Sequence, residues 1–138
     1  MTSVLGAAAS GRPSLHHVAL GTRDVEALAS FYCRLLGTKE QRRHCDEQGA
    51  LRSIWLDLAG TLLMIERAEA QAAPRPHEPG VALGAFLLAF RADTSERRAF
   101  EQRAQALGAA VEARSAYTSY LRDPDGNRIA VSEYEVTA

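Results

Sequence analysis

Hydrophobic and polar positions follow two different periods along this chain. In 51–58, apolar side chains at every second position alternate with polar or aromatic ones. Because successive side chains of a strand point to opposite faces, this alternation predicts a strand with one apolar face. In 25–36, apolar residues recur three and four positions apart, which predicts an amphipathic helix. Asp24 is the expected N-cap of that helix and Gly37 its expected stop.

The same two periods divide the rest of the chain into short segments. The first half is predicted to contain a strand, a helix and three more strands, and the second half repeats that order. The expected elements are strands at 15–22, 39–45, 51–58, 61–66, 85–92 and 109–113, helices at 24–36 and 93–107, and a closing hairpin within 120–131.

A turn sequence, Asp123-Pro124-Asp125-Gly126-Asn127, lies at the centre of the closing hairpin. Pro124 presets the φ angle of the turn, and the Asp123 carboxylate can accept hydrogen bonds from the amides that follow it. Gly126 or Asn127 can adopt a positive φ. Alternation then predicts one face that packs on a helix and an opposite face that would carry any functional site. The packed face should carry Leu121, Ile129 and Val131, and the open face Tyr120, Arg122, Ala130 and Ser132.

The two halves of the chain form an internal repeat. Segments beginning at His17 and Leu87 align, as do Leu36-Gly37 with Leu107-Gly108 and Gly60 with Gly126. We expect a flexible N-terminal tail at 1–13, a first β-α-β-β-β module at 14–67, a proline-rich linker at 68–81 and a second β-α-β-β-β module at 82–138. The predicted fold class is therefore α+β. Each mixed sheet should have a helix on its outer face only, and the uncovered faces should curve into a cup.

Composition excludes several classes of protein. The 138 residues carry a formal net charge of −1, so we expect no nucleic-acid partner. No apolar run approaches the roughly 18–20 residues needed to cross a bilayer, so we expect no membrane partner. Cys33 and Cys45 are the two cysteines, without a C-x-x-C motif, and reduced thiols in the cytoplasm are the default expectation.

Four segments resemble the vicinal oxygen chelate superfamily, which includes glyoxalase I, bleomycin- and fosfomycin-resistance proteins and extradiol dioxygenases. These segments are L-H-H-V-A-L-G-T-R-D-V at 15–25, F-Y-C-R-L-L-G at 31–37, G-T-L-L-M-I-E at 60–66 and Y-L-R-D-P-D-G-N-R-I-A-V at 120–131. The resemblance implies two modules in one chain and a homodimer. It does not fix an activity, because this fold hosts many reactions.

Relatives that use a metal place ligands on the first and last strand of each module, and the resemblance carries those positions onto this sequence. His17 matches the first position, whereas Leu87 and Ala130 occupy two others. Met64 occupies the fourth position, and Glu66 lies two residues later on the same predicted face. A divalent ion needs about three protein ligands from histidine and carboxylate. We therefore favour no cofactor, with His17 and Glu66 as the ligands if a metal is bound.

The remaining candidates are residues predicted to line the cup. The ligand-binding set is His17, Trp55, Met64, Glu66, Leu87, Arg91, Tyr120 and Arg122. His17 and Tyr120 are the candidate catalytic groups, as general base and hydroxyl donor. Arg91 and Arg122 suit an anionic ligand. The alternative is that these arginines form salt bridges with Asp57 or Glu66.

Three functional hypotheses follow from this set. The first is a glyoxalase- or bleomycin-resistance-like protein that binds a small, partly apolar, oxygenated or anionic molecule without a catalytic metal. The second is a metal-dependent lyase, isomerase or dioxygenase that uses His17 and Glu66. The third is a subunit whose cup is filled by its own side chains and whose role is interaction.

Overall fold

The computed structural model describes residues 11–69 and 80–135. The chain divides into two compact units, Met1–Gln71 and Ala72–Ala138. Most of the expected tail (1–10) and of the expected linker (70–79) lies outside the described residues.

The first unit has the predicted β-α-β-β-β order. Its elements are β1 (His17–Thr22), α1 (Val25–Leu36), β2 (Glu40–Cys45), β3 (Leu51–Asp57) and β4 (Leu62–Arg67). The sheet order is β1-β4-β3-β2, with β1 parallel to β4 and the other pairs antiparallel. The result is a four-stranded mixed sheet.

Helix α1 begins and ends as the sequence predicts. The Asp24 carboxylate accepts a hydrogen bond of 3.0 Å from the amide of Ala27, and Gly37 adopts a φ of 66° that a side chain would disfavour. The helix packs its apolar face on β3 and β4. The buried core consists of Val25, Leu28, Ala29, Phe31, Tyr32 and Leu35 from the helix with Ile54, Leu56, Leu63 and Ile65 from the strands.

The second unit repeats the architecture. Its elements are β5 (Leu88–Arg91), α2 (Thr94–Ala106), β6 (Ala113–Arg114), β7 (Thr118–Arg122) and β8 (Arg128–Ser132). The sheet order is β5-β8-β7-β6, with β5 parallel to β8. The predicted α+β class and the repeated module are confirmed.

Strand β6 begins later than predicted. We expected a strand at 109–113, but the amide of Ala109 donates to the carbonyl of Ala104 at 2.8 Å and so still belongs to the helix end. Gly108, with a φ of 82°, makes this termination possible. Pairing with β7 starts at the amide of Glu112, which donates to the carbonyl of Tyr120.

Helix α2 is held to its sheet largely by polar contacts. Only Phe100 and Ala104 of this helix are buried. The Arg97 guanidinium donates to the hydroxyl of Ser119, which is fully buried on β7, at 2.9 Å. That hydroxyl in turn donates to the Glu101 carboxylate, which also pairs with Arg114 at 2.7 Å. The hydrogen bond from Arg114 and that from Ser119 hold the pKa of Glu101 below its usual value.

The β7–β8 hairpin is fixed by its turn. The Asp123 carboxylate accepts hydrogen bonds of 2.9 Å from the amides of Asp125 and Asn127, and one of 2.6 Å from the Asn127 side chain. Gly126 adopts the positive φ, at 84°. Residue 122 therefore pairs with 128, and 120 with 130.

Neither helix in the part of the chain that the structure describes is long and apolar enough to span a membrane. Cys33 and Cys45 are both free thiols. Burial, followed by the nearby charge of Glu40, raises the pKa of the Cys33 thiol.

Candidate functional site

Each sheet has one face that packs on the helix of its own unit and one that does not. We call the second of these the helix-free face. Strand register assigns its residues, because directly paired residues share a face. The first helix-free face contains His17, Ala19, Gly21, Ser53, Trp55, Asp57, Leu62, Met64 and Glu66. The second contains Ala89, Arg91, Thr118, Tyr120, Arg122, Arg128, Ala130 and Ser132.

His17 and Glu66 lie on the same face but far apart. His17 pairs with Leu62, whereas Glu66 pairs with Gly21, four residues further along. At about 3.3 Å per residue, the two backbone positions are about 13 Å apart along the strands. These two side chains therefore do not converge on one ion in the first unit.

His16 lies beside His17 on the exposed edge of the first unit. The Nδ1 atoms of the two rings are 2.9 Å apart, and the rings meet edge to face. Strand β1 begins at His17, so His16 precedes the strand and its side chain need not follow the alternation of the strand. Both side chains are exposed.

Trp55 and Met64 form the centre of the first helix-free face. They pair directly across β3 and β4, and both are partly buried. The ring of His44 on β2 lies 4.7 Å from the Trp55 ring, centroid to centroid. His44 lies in the strand predicted at 39–45, but the alternation of side chains did not reveal this contact. The pairing of His44 with Ser53 brings it to this face.

Two arginines and a tyrosine form a cationic cluster on the second helix-free face. Arg122 and Arg128 are directly paired, and the Arg128 guanidinium carbon lies 4.6 Å from the centre of the Tyr120 ring. The Nε atoms of Arg122 and Arg128 lie 3.1 and 3.6 Å from the same carboxylate oxygen of Glu112. We call Tyr120, Arg122 and Arg128, with Glu112, the arginine cluster.

Arg128 was not predicted as a site residue, although the turn sequence determines which residue lies opposite Arg122. Counting outward from Asp123 and Asn127 places residue 128 opposite Arg122. The alternative salt bridge for Arg122 had been expected with Asp57 or Glu66, whereas the observed carboxylate is Glu112.

Arg91 and Leu87 lie apart from the arginine cluster. Arg91 is in the row of Ser132 and Thr118, four residues along β7 from Arg122, or about 13 Å. It lines an open cavity of about 540 Å³ at the start of α2. Four carboxylates also line that cavity: Asp93, Glu96, Glu133 and Glu135. Leu87 precedes β5 and is 36% exposed. Arg91 therefore lies outside the arginine cluster.

With this geometry in place, comparison with known proteins identifies the family. The chain belongs to the Glyoxalase/Bleomycin resistance protein/Dioxygenase superfamily, whose model matches residues 14–131. No curated protein matches the chain.

Solved structures show the same fold. The fosfomycin resistance protein FosX from Mesorhizobium loti superposes with a TM-score of 0.71 at 19% identity, covering 89% of this chain and 93% of that one. FosX from Listeria monocytogenes gives 0.69 at 18%, covering 88% and 92%. Lactoylglutathione lyase from Agrobacterium tumefaciens gives 0.61 at 22%, covering 88% and 93%. Identities this low establish the fold and leave the activity open.

The Listeria FosX has been crystallised with Mn(II), so the fit of a metal to this chain can be tested on its residues. Among residues 11–69 and 80–135, no three His, Cys, Asp or Glu side chains lie together where they could hold an ion. Leu87 and Ala130 are apolar at positions where the family resemblance implies ligands. His17 and Glu66 do not converge in their unit. The described residues do not fit a bound divalent ion.

Proposed function

We propose that this protein binds a small, partly apolar molecule with an anionic or oxygenated end on its helix-free sheet faces, without a resident metal. The main support for this proposal is the arginine cluster. Guanidinium groups bind carboxylate and phosphonate oxygens strongly because their donors match the spacing of those oxygens.

Glu112 supports the assignment by occupying the cluster. Its carboxylate forms ion pairs with the guanidinium groups of Arg122 and Arg128, and the Arg128 guanidinium also lies over the Tyr120 ring. Arg128 is only 13% exposed, which reduces the screening of its charge. A ligand's anionic end would therefore compete with Glu112 for the two guanidinium groups.

On the first helix-free face, taken by itself, Trp55 and Met64 provide an apolar binding surface, with His17 as a further polar group. Aromatic and thioether side chains form adaptable apolar walls in binding sites. Tyr120 can donate its hydroxyl to a ligand oxygen at the cluster. The proposal also takes the protein to be a cytoplasmic homodimer, as the family resemblance and the composition favour.

Arg128→Gln should weaken the binding of phenylphosphonate at least about tenfold, because a charge-assisted hydrogen bond is lost. Glu112→Gln should strengthen it, since the internal competitor loses its charge. Isothermal titration calorimetry of the three proteins measures both effects.

Arg34→Gln is the matched control, because Arg34 is an exposed arginine in the last turn of α1. It should bind phenylphosphonate as the unmodified protein does. Equal weakening in Arg34→Gln and Arg128→Gln would show that net charge alone governs binding and would contradict the proposed site.

A further inference from the structure

Three buried polar atoms on the first unit have no hydrogen-bond partner among the described residues. They are His44 Nε2, Ser53 Oγ and Trp55 Nε1. Ser53 is 1% exposed. Buried polar groups in folded proteins are almost always paired, because an unpaired one loses its hydration without compensation.

These atoms belong to neighbouring side chains on one face. His44 and Ser53 are directly paired across β2 and β3, and Trp55 is two residues beyond Ser53. The rings of His44 and Trp55 are in contact, with centroids 4.7 Å apart. We call these three residues the polar triad. Because three unpaired atoms lie at neighbouring positions, a single wrongly oriented hydroxyl does not explain them.

The donors and acceptors of the polar triad define the group that would satisfy it. The indole N–H can only donate, the serine hydroxyl can donate or accept, and the imidazole Nε2 takes the role its tautomer allows. A hydroxyl group matches this set, because it accepts from Trp55 and donates to His44 or Ser53. Glu66 pairs directly with Ser53 and disfavours an anion beside it.

The residues around the polar triad favour a ligand in which that hydroxyl is attached to an aromatic ring. Trp55 and His44 present ring surfaces, and Met64 is the cross-strand neighbour of Trp55. Aromatic rings and thioethers attract a further ring through edge-to-face and sulfur contacts.

We propose that the polar triad of His44, Ser53 and Trp55 is a binding site for the hydroxyl group of an uncharged phenol. This inference rests on the proposed function and names a ligand chemistry for the helix-free face of the first unit. It uses different residues from the arginine cluster, so the two can fail separately.

The test compares p-cresol with toluene, which has the same ring and methyl group without the hydroxyl. Trp55 is the single tryptophan of the sequence, so its fluorescence reports binding at this position. We expect p-cresol to bind about tenfold more tightly than toluene. Ser53→Ala should reduce this preference to about threefold or less, while toluene binding stays unchanged. Equal affinity for the two compounds, or an unchanged preference in Ser53→Ala, would overturn the proposal.

Two controls keep the test decisive. Ser30→Ala, at an exposed serine of α1, should leave the preference unchanged. Ser53→Ala should also retain its melting temperature, because its hydroxyl has no partner within the described residues to lose. A marked fall in melting temperature would show that the hydroxyl is paired inside the protein and would contradict the inference. Phenylphosphonate binding, measured on the same samples, reports on the arginine cluster alone.

Discussion

Asp123→Ala should lower the free energy of unfolding by about 2–4 kcal/mol. The Asp123 side chain is 4% exposed and accepts three hydrogen bonds from the turn that joins β7 to β8. Alanine would leave the three donors without this acceptor, the two of Asn127 in a buried place, and it would loosen the register that pairs Arg122 with Arg128. Urea denaturation followed by circular dichroism measures the loss.

Asp125→Ala is the matched control for this prediction. Asp125 lies in the same turn but is exposed. Its replacement should change the free energy of unfolding by less than about 0.5 kcal/mol, as surface substitutions usually do. Comparable losses in the two variants would contradict the role given to the buried carboxylate.

Glu101→Gln should lower the free energy of unfolding by about 1–3 kcal/mol at neutral pH. The carboxylate accepts from Ser119 and pairs with Arg114, and these contacts join α2 to the sheet. Because its pKa is lowered in the folded state, the contribution is complete above the unfolded value of about 4.3 and is lost as the pH falls through the folded value. Denaturation curves from neutral pH down to about pH 3 measure both effects.

The difference between the unmodified protein and Glu101→Gln should therefore shrink in acid. Gln102→Ala, at an exposed position of the same helix, should show no such trend. A difference that stays constant down to about pH 3 would show that the ionised form of Glu101 is not what stabilises α2.

Local patterns predicted most of the fold. Asp24 and Gly37 bound α1 because capping and positive φ are properties of single residues. The 123–127 turn predicted the hairpin for the same reason. Strand β6 was predicted to begin too early. The amide of Ala109 donates to the carbonyl of Ala104 at the end of α2, and the alternation of side chains does not reveal that hydrogen bond.

Site residues were harder to predict because a site depends on register as well as parity. Alternation placed Arg91 and Arg122 on one face but could not show that they lie about 13 Å apart along the strands. The same holds for His17 and Glu66. Arg128 and Ser53 became candidates only when the cross-strand pairs were known. Each is of interest because of the residue opposite it, Arg122 for Arg128 and His44 for Ser53.

In the proposed function, arginines bind the anionic ligand without a metal. Calorimetric titration of phenylphosphonate into protein treated with a chelator, and into protein supplied with Mn(II), distinguishes arginine-based binding from metal-based binding. We expect the same affinity in both conditions, reduced in both by Arg128→Gln. Binding that requires Mn(II) and that disappears in His17→Ala would contradict it.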